Sequence, residues 1–350
     1  MNVLVAAGLV FLLSWWLTGR LSTPTSHLYF LDHPNERSLH EVPTPRTGGV
    51  AVLTSAVAGL ALIVLTDREN QEITATSLAT SSVIWIFLAM FVLAVVSFCD
   101  DRWGLPTSFR FGVQLVVVVA LVVGSGLVVP AVSLPFGNNL ELGWLAWPVT
   151  VLFLIWMTNL YNFMDGMDGF AGGMTVLGFG LMAYLFWMAH QPAPFVIALV
   201  QAAAALGFLQ HNFPPARIFM GDVGSIPTGF LAGSLAVLGC QEGVFDLWVP
   251  LVIFSPFILD ATATLIRRAL RGERIWMAHR EHYYQRVVLA GWSHRRTVAA
   301  EYAVMACCGV LALIYQVSAD GQRIIILGAW MMLFLVLAGL VHKQEVSRGR

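Results

Sequence analysis

Five polar clusters interrupt an otherwise apolar chain, and their residue types suit phosphate and divalent-cation chemistry. Asp100-Asp101 opens the stretch DDRWGLPTSFR. Adjacent carboxylates repel, so such a pair is most comfortable beside a cation or a proton-transfer task, although a solvated helix end would also carry it. In NFMDGMDG, Asn162, Asp165 and Asp168 recur at three-residue steps, which clusters their side chains if the backbone is helical. Oxygen donors of this kind favour Mg²⁺ or Mn²⁺ over Zn²⁺. HNFPPARIFMGDVGS adds Asp222 on a glycine-flanked turn, together with Asn212 and the ring of Phe219. Paired with the Asn162 loop, Asp222 supplies a second arm for a divalent metal. DHPNERSLHEVPTPRTGG brings Arg37, His40 and Arg46 into a stiff, proline-rich hairpin suited to an anion. The fifth cluster, AHREHYYQR, holds His279, Arg280, His282 and Arg286; its HxxH spacing is not the HxxxH of a zinc helix.

These clusters must be positioned by membrane helices. Of the 350 residues 58% are hydrophobic and 11% charged, which excludes an ordinary soluble domain. Crossing a hydrocarbon core of ~30 Å takes about 17–25 apolar residues in a helix. Eleven stretches are candidates, two of them (195–210 and 225–240) short: 2–18, 49–66, 78–98, 111–129, 142–160, 170–189, 195–210, 225–240, 247–266, 298–317 and 324–341. The fold expected is therefore an all-α polytopic membrane protein of a single domain, 1–350. No period-2 pattern suggests a membrane barrel. The first stretch lacks a basic leader and precedes Arg20, so it reads as a retained helix.

Alternating the connections sorts the charges. Seventeen of the nineteen Lys and Arg residues fall on one side, leaving only Arg68 and Arg323 on the other. By the positive-inside rule the first side is cytoplasmic, which puts the N-terminus outside, the C-terminus inside and the number of crossings at an odd value. All five clusters lie on that cytoplasmic face. Asp260, two turns inside the helix that ends at Arg267-Arg268, is costly in a membrane and is expected to face the bundle interior, either paired with a loop arginine or acting at the site. Cys99, Cys240, Cys307 and Cys308 show no metal-ligand spacing and read as free thiols. A transporter would concentrate polarity near the bilayer midplane and show repeat symmetry; polarity confined to the loops of one face counts against that reading.

Taken in order, DHPNERSLHEVPTPRTGG, DDRWGL, NFMDGMDG, NFPPARIFMGDVGS and HREHYYQR resemble the polyprenyl-phosphate N-acetylhexosamine-1-phosphate transferase family, from about Asp32 to Arg286. The resemblance implies transfer of a sugar-1-phosphate from a UDP-N-acetyl sugar to undecaprenyl phosphate, with release of UMP and a need for Mg²⁺, Mn²⁺ being a substitute. It implies that Asn162 and Asp222 are metal ligands, and that Asp100 deprotonates or orients the lipid phosphate with Asp101 beside it. Asp165 and Asp168 would support the metal and diphosphate, Asn212 and Phe219 would hold the uracil, and His279, Arg280 and His282 would face the diphosphate or sugar. Arg37, His40, Arg46 and Arg286 complete the expected substrate-binding set. DDRWGL and AHREHYYQR look closer to the O-antigen-initiating branch, which uses UDP-GlcNAc or 6-deoxy amino sugars such as UDP-FucNAc or UDP-QuiNAc, than to the phospho-MurNAc-pentapeptide transferase of peptidoglycan synthesis. The implied setting is the bacterial inner membrane. A homodimer is allowed, and no nucleic-acid partner is expected.

Overall fold

A computed structural model describes residues 3–34, 39–66, 78–134, 137–274 and 279–348. Arg37 lies outside the described residues. The helices are α1 (Val3–Leu21), α2 (Gly48–Thr66), α3 (Ser81–Trp103), α4 (Thr107–Ser125), α5 (Ala146–Phe163), α6 (Phe170–Met188), α7 (Pro192–Asn212), α8 (Asp222–Gln241), α9 (Trp248–Ile253), α10 (Ser255–Leu270), α11 (Tyr283–Leu289), α12 (His294–Val317) and α13 (Asp320–Arg348). Ten of them are long and apolar enough to cross a membrane. Large apolar side chains such as Phe91, Val116, Leu152 and Val317 point outward, as lipid contact requires. The chain is an all-α multi-pass membrane protein, as its composition predicts.

The expected crossing at 247–266 is not one helix. It is split at Phe254 into α9 and α10, and α10 runs on to Leu270. Pro256 has no N–H to offer the Val252 carbonyl four residues earlier. The Ser255 hydroxyl takes that carbonyl instead, at 2.7 Å. Ser255 Oγ also accepts Trp330 Nε1 at 3.0 Å, which ties the break to α13. The two stretches expected to be short, 195–210 and 225–240, form helices of 21 and 20 residues.

Helix α8 is the central column: its apolar window is 94% buried, against 11% for α13. Small residues along α8 let neighbouring backbones come close. At its first turn, a Cβ on Gly49 of α2 would collide with the Gly224 backbone. Two small antiparallel pairs complete the fold: β1 (Leu31–Asp32) with β2 (Thr44–Pro45), and β3 (Ala131–Ser133) with β4 (Asn139–Glu141). The first pair confirms the hairpin expected from its prolines.

Candidate active site

The N-termini of α2, α4 and α8 meet the C-termini of α3, α5 and α7 at one end of the bundle. Helix N-termini carry unpaired N–H groups and partial positive charge, and here they are answered by specific acceptors. Gly48 and Gly49, opening α2, donate to the carbonyls of Phe219 (2.9 Å) and Met220 (2.8 Å). Gly221 precedes α8 at φ 71°, a conformation in which glycine is at ease, and has no side chain with which to cap it. Asp101 supplies the cap from α3: its carboxylate accepts Asp222 N–H at 3.3 Å and Val223 N–H at 2.9 Å.

Asp100 and Asp101 are thus divided between two tasks. Consecutive helical side chains diverge by about 100°. Asp100 accepts Leu105 N–H at 2.7 Å and pairs with Arg110. Arg46 lies 3.6 Å from the Asp101 carboxylate and donates to the Asp101 carbonyl at 2.5 Å. Arg110 Nη1 also donates to Asp222 Oδ2 at 2.7 Å, while Asn162 Nδ2 donates to Asp222 Oδ1 at 2.7 Å and to Ser225 Oγ at 3.1 Å. Asp222 therefore joins α3, α4 and α5 through hydrogen bonds.

The three-residue spacing of Asn162, Asp165 and Asp168 does not extend a helix, because α5 ends at Phe163. Asp165 stays with Asn162 at the acid end. Burial, then the nearby Asp222 and Asp101, push its carboxyl well above the usual carboxylate range. Asp168 turns away, accepting Ala216 N–H at 3.0 Å with His294 Nδ1 3.4 Å from the same oxygen. The adjoining Gly169 is pinned on both sides: its N–H donates to Asn212 Oδ1 (3.0 Å), and its carbonyl accepts the Tyr302 hydroxyl (2.6 Å).

A cavity of about 990 Å³ opens on this assembly. Its polar end is lined by Asp32, His40, Arg110, Asn162, Asp165, Asp168, Phe219, His279, His282 and His294. Its apolar end follows α4 and α5 toward the outward-facing surface of the helices, past Phe111, Ile155, Trp156 and Leu152. Asp100 and Asp222 adjoin that wall through Arg110, and Asp222 also through Asn162, while Asp101 stands at the α8 N–H groups.

The histidine side is built differently. Asp260 faces inward and, among the described residues, pairs with no arginine: it receives Tyr283 N–H (2.8 Å), Tyr284 N–H (3.1 Å) and Thr264 Oγ1 (3.2 Å), and lies 3.2 Å from His282 Nδ1. It thereby caps α11 and orients His282. The tautomer in which Nδ1 donates to that carboxylate leaves Nε2 as the acceptor nitrogen of the ring. The His279 ring is 4.8 Å from His282. Desolvation, then the neighbouring His282 and Arg268, lower the His279 imidazole to about 4, so it is neutral at physiological pH. Between the two histidines, Glu281 is gripped by Arg268 (2.5 Å), Arg271 and Arg267 (3.8 Å).

Several expected substrate contacts are engaged with protein. Asn212 is buried, donating to the Ile218 carbonyl at 2.9 Å and accepting from Gly169, so its amide shapes the turn. Arg286 forms a two-pronged pair with Glu345 on α13. Arg46 bridges Asp101 and Asp32, while Arg280 is exposed. His40 stands 3.6 Å from Asp32 and edge-on to Phe219, with ring centres 4.8 Å apart. Arg110, Asp32 and His294 were not picked out from sequence as site residues. Arg110 could have been: it opens the helix after DDRWGL, where a cation would meet the paired acids.

Among the described residues no three His, Cys, Asp or Glu side chains converge as a ready metal cage. The oxygen donors present still fit Mg²⁺, which keeps several waters and is held by one or two carboxylates together with substrate phosphates.

Residues 83–240 match the family described as Glycosyl transferase family 4. The chain is 32% identical over 323 residues to a probable undecaprenyl-phosphate N-acetylglucosaminyl 1-phosphate transferase of Bacillus subtilis, covering 91% of this chain and 83% of that protein. It is 27% identical over 318 residues to a decaprenyl-phosphate N-acetylglucosaminephosphotransferase of Mycobacterium leprae (83% and 78% covered). It is 28% identical over 296 residues to a phospho-N-acetylmuramoyl-pentapeptide-transferase of Halalkalibacterium halodurans (78% and 84% covered). The chain belongs to glycosyl transferase family 4, the polyprenyl-phosphate sugar-1-phosphate transferases.

Proposed function

We propose that the protein transfers an N-acetylhexosamine-1-phosphate from a UDP-sugar to undecaprenyl phosphate, releasing UMP and initiating a cell-surface polysaccharide such as O-antigen. The observation that carries this reading is the shape of the cavity, which runs continuously from an acid- and histidine-lined end to an apolar one. A water-soluble nucleotide sugar fits the first, and a polyprenyl chain fits the second. The names of two relatives favour GlcNAc, and the motif resemblance keeps FucNAc and QuiNAc as the 6-deoxy alternatives.

Asn162 and Asp222, with Asp165 beside them, would hold Mg²⁺ (or Mn²⁺), which when bound offsets the diphosphate charge and stabilises the leaving UMP oxygen. The rest of the work belongs to side chains. Arg110 draws the acceptor phosphate toward the acids. Its oxygen attacks the β-phosphorus directly, forming one P–O bond as the bond to the UMP oxygen breaks. Asp100 is held by Leu105 N–H and Arg110, and so serves as an anchor for the cation rather than as a nucleophile. His282 Nε2 and neutral His279 face the sugar-phosphate, while Phe219 and His40 offer ring surface to the base. Mass spectrometry of enzyme incubated with donor alone tests the direct route, and an adduct on Asp100 would overturn it.

The cavity mouth and C-terminus are assigned to the cytoplasmic face of the inner membrane and the N-terminus to the periplasm, with α9 and α10 together making an eleventh crossing. Labelling of cysteines introduced at either terminus by a membrane-impermeant reagent tests this orientation. The deciding assay for function incubates detergent-purified protein with undecaprenyl phosphate, Mg²⁺ and a panel of UDP-N-acetyl sugars, with and without EDTA. Metal-dependent UMP release with UDP-GlcNAc is expected. Release from UDP-MurNAc-pentapeptide alone would move the protein to the peptidoglycan branch. Mn²⁺ binding followed by electron paramagnetic resonance, weakened in Asp222→Asn, checks the metal assignment without turnover.

A further inference from the structure

One polar pair stands between the two ends of the cavity and is not used by the chemistry above. Gln114 of α4 and Asn159 of α5 both line the cavity, beside Phe111, Ile155 and Trp156. Asn159 Nδ2 donates to Gln114 Oε1 at 2.8 Å and to the Ile155 carbonyl at 2.8 Å. The carbonyl can only accept, so the Asn159 nitrogen must face it. Gln114 must then turn its oxygen to Asn159. This leaves the Gln114 Nε2 amino group with no protein partner among the described residues, on a side chain only 5% exposed. A donor held at a largely apolar cavity wall with no protein acceptor gains most from an acceptor that enters the cavity. The site is therefore built for an acceptor that arrives with a ligand.

Position identifies that ligand. Gln114 lies one turn beyond Arg110 on α4, and Asn159 one turn before Asn162 on α5. The pair is thus a helical turn, about 5 Å, deeper toward the apolar end than the acid cluster. An anion at this depth must be attached to an apolar chain. We infer that Gln114, oriented by Asn159, donates a hydrogen bond to the phosphate of the polyprenyl acceptor and sets its depth against Arg110. The inference rests on the lipid acceptor proposed above. The diphosphate of the nucleotide sugar is the other phosphate the reaction offers, but it belongs to a soluble molecule with no reason to enter the apolar end.

The test compares binding of undecaprenyl phosphate, undecaprenol and UDP-GlcNAc to the full-length purified protein. Wild type should prefer the phosphorylated lipid. Gln114→Met, which keeps volume but has no donor, should lose about tenfold to a hundredfold of affinity for the phosphate form, with undecaprenol and UDP-GlcNAc binding unchanged. Gln114→Glu, which keeps shape and reverses the polarity, should lose at least as much, and it serves where Gln114→Met fails to fold. In turnover, KM for the lipid should rise while KM for the donor holds. Undiminished preference for the phosphorylated lipid in both variants would overturn the inference. So would weakened UDP-GlcNAc binding, which would place Gln114 on the donor diphosphate. Failure of the proposed reaction reads out separately, as wild type that discriminates the two lipids through Gln114 but releases no UMP from any donor.

Discussion

On the acid wall of the cavity, Asp101 caps α8 and Asp222 takes hydrogen bonds from Arg110 and Asn162, so each carboxylate is fixed by groups at helix ends. On the histidine wall, His282 is set by Asp260, but the residues before it are held by Glu281 among three arginines whose side chains are 8 to 47% exposed. The first arrangement sits largely beneath the cavity surface, where charges are screened little. The second lies close to water, where an ion pair contributes ~0–1 kcal/mol and weakens with salt. Under the proposed reaction, the wall that would hold a cation is the more firmly fixed, and the wall that would admit and release a sugar is fastened more lightly.

Substitutions can break this contrast, and the largest effect is expected at Asp222. Asp222→Asn should lower UMP release by roughly 10³-fold, since it removes charge from the acid cluster proposed to hold the cation. Its melting temperature should change little, because the amide keeps one acceptor for Asn162; activity near wild type would remove Asp222 from the metal set. Arg110→Ala leaves two acids facing each other without their shared cation. Breaking a buried pair costs about 3–5 kcal/mol, and with Arg110 27% exposed roughly half of that is expected. Activity should fall about a hundredfold, and Arg110→Lys should recover part of both losses.

On the histidine wall the effects should be smaller. Asp260→Ala removes the α11 cap and the partner of His282, costing about 1–2 kcal/mol of stability and about tenfold in kcat. Glu281→Gln should cost only about two- to threefold in activity and abolish most of the salt dependence of the wild type. A hundredfold loss at Glu281 would show that the loop clamp is as stringent as the acid wall, and the contrast would fail.

Much of this was written in the sequence, and what was not has physical causes. Membrane crossings were legible because each needs a long apolar run, and the shared face of the five clusters followed from where the arginines fall. The break at Phe254 was harder to see: Pro256 is visible, but whether a proline kinks a helix or divides it depends on who takes the freed carbonyl, here Ser255. Asp100-Asp101 marked a charged site without revealing that one acid anchors Arg110 and the other caps a distant helix. Asn212 and Arg286 carry side chains suited to a ligand, and only tertiary contacts show them engaged with Ile218 and Glu345. Arg110 was hidden by its own plausibility as one of many arginines expected on the same face.

A further small effect concerns pH. The His279 imidazole is lowered from its usual value near 6.5 to about 4, chiefly by desolvation. Between those values the unfolded chain binds a proton that the folded chain refuses. Stability from this group therefore rises with pH from about 4 to about 6.5 and is flat above it. Half-buried and screened by water, His279 should contribute only about 1 kcal/mol across that window. In His279→Gln the rise in thermal midpoint between pH 4.5 and 6.5 should be shallower than in wild type, with no difference in slope above pH 7. Because a neutral His279 does not titrate between pH 5.5 and 8, the pH profile of kcat in that range should keep its shape in the same variant even as kcat falls. A displaced acid limb would instead show that His279 changes charge at work, and that the histidine wall, like the acid wall, carries formal charge in catalysis.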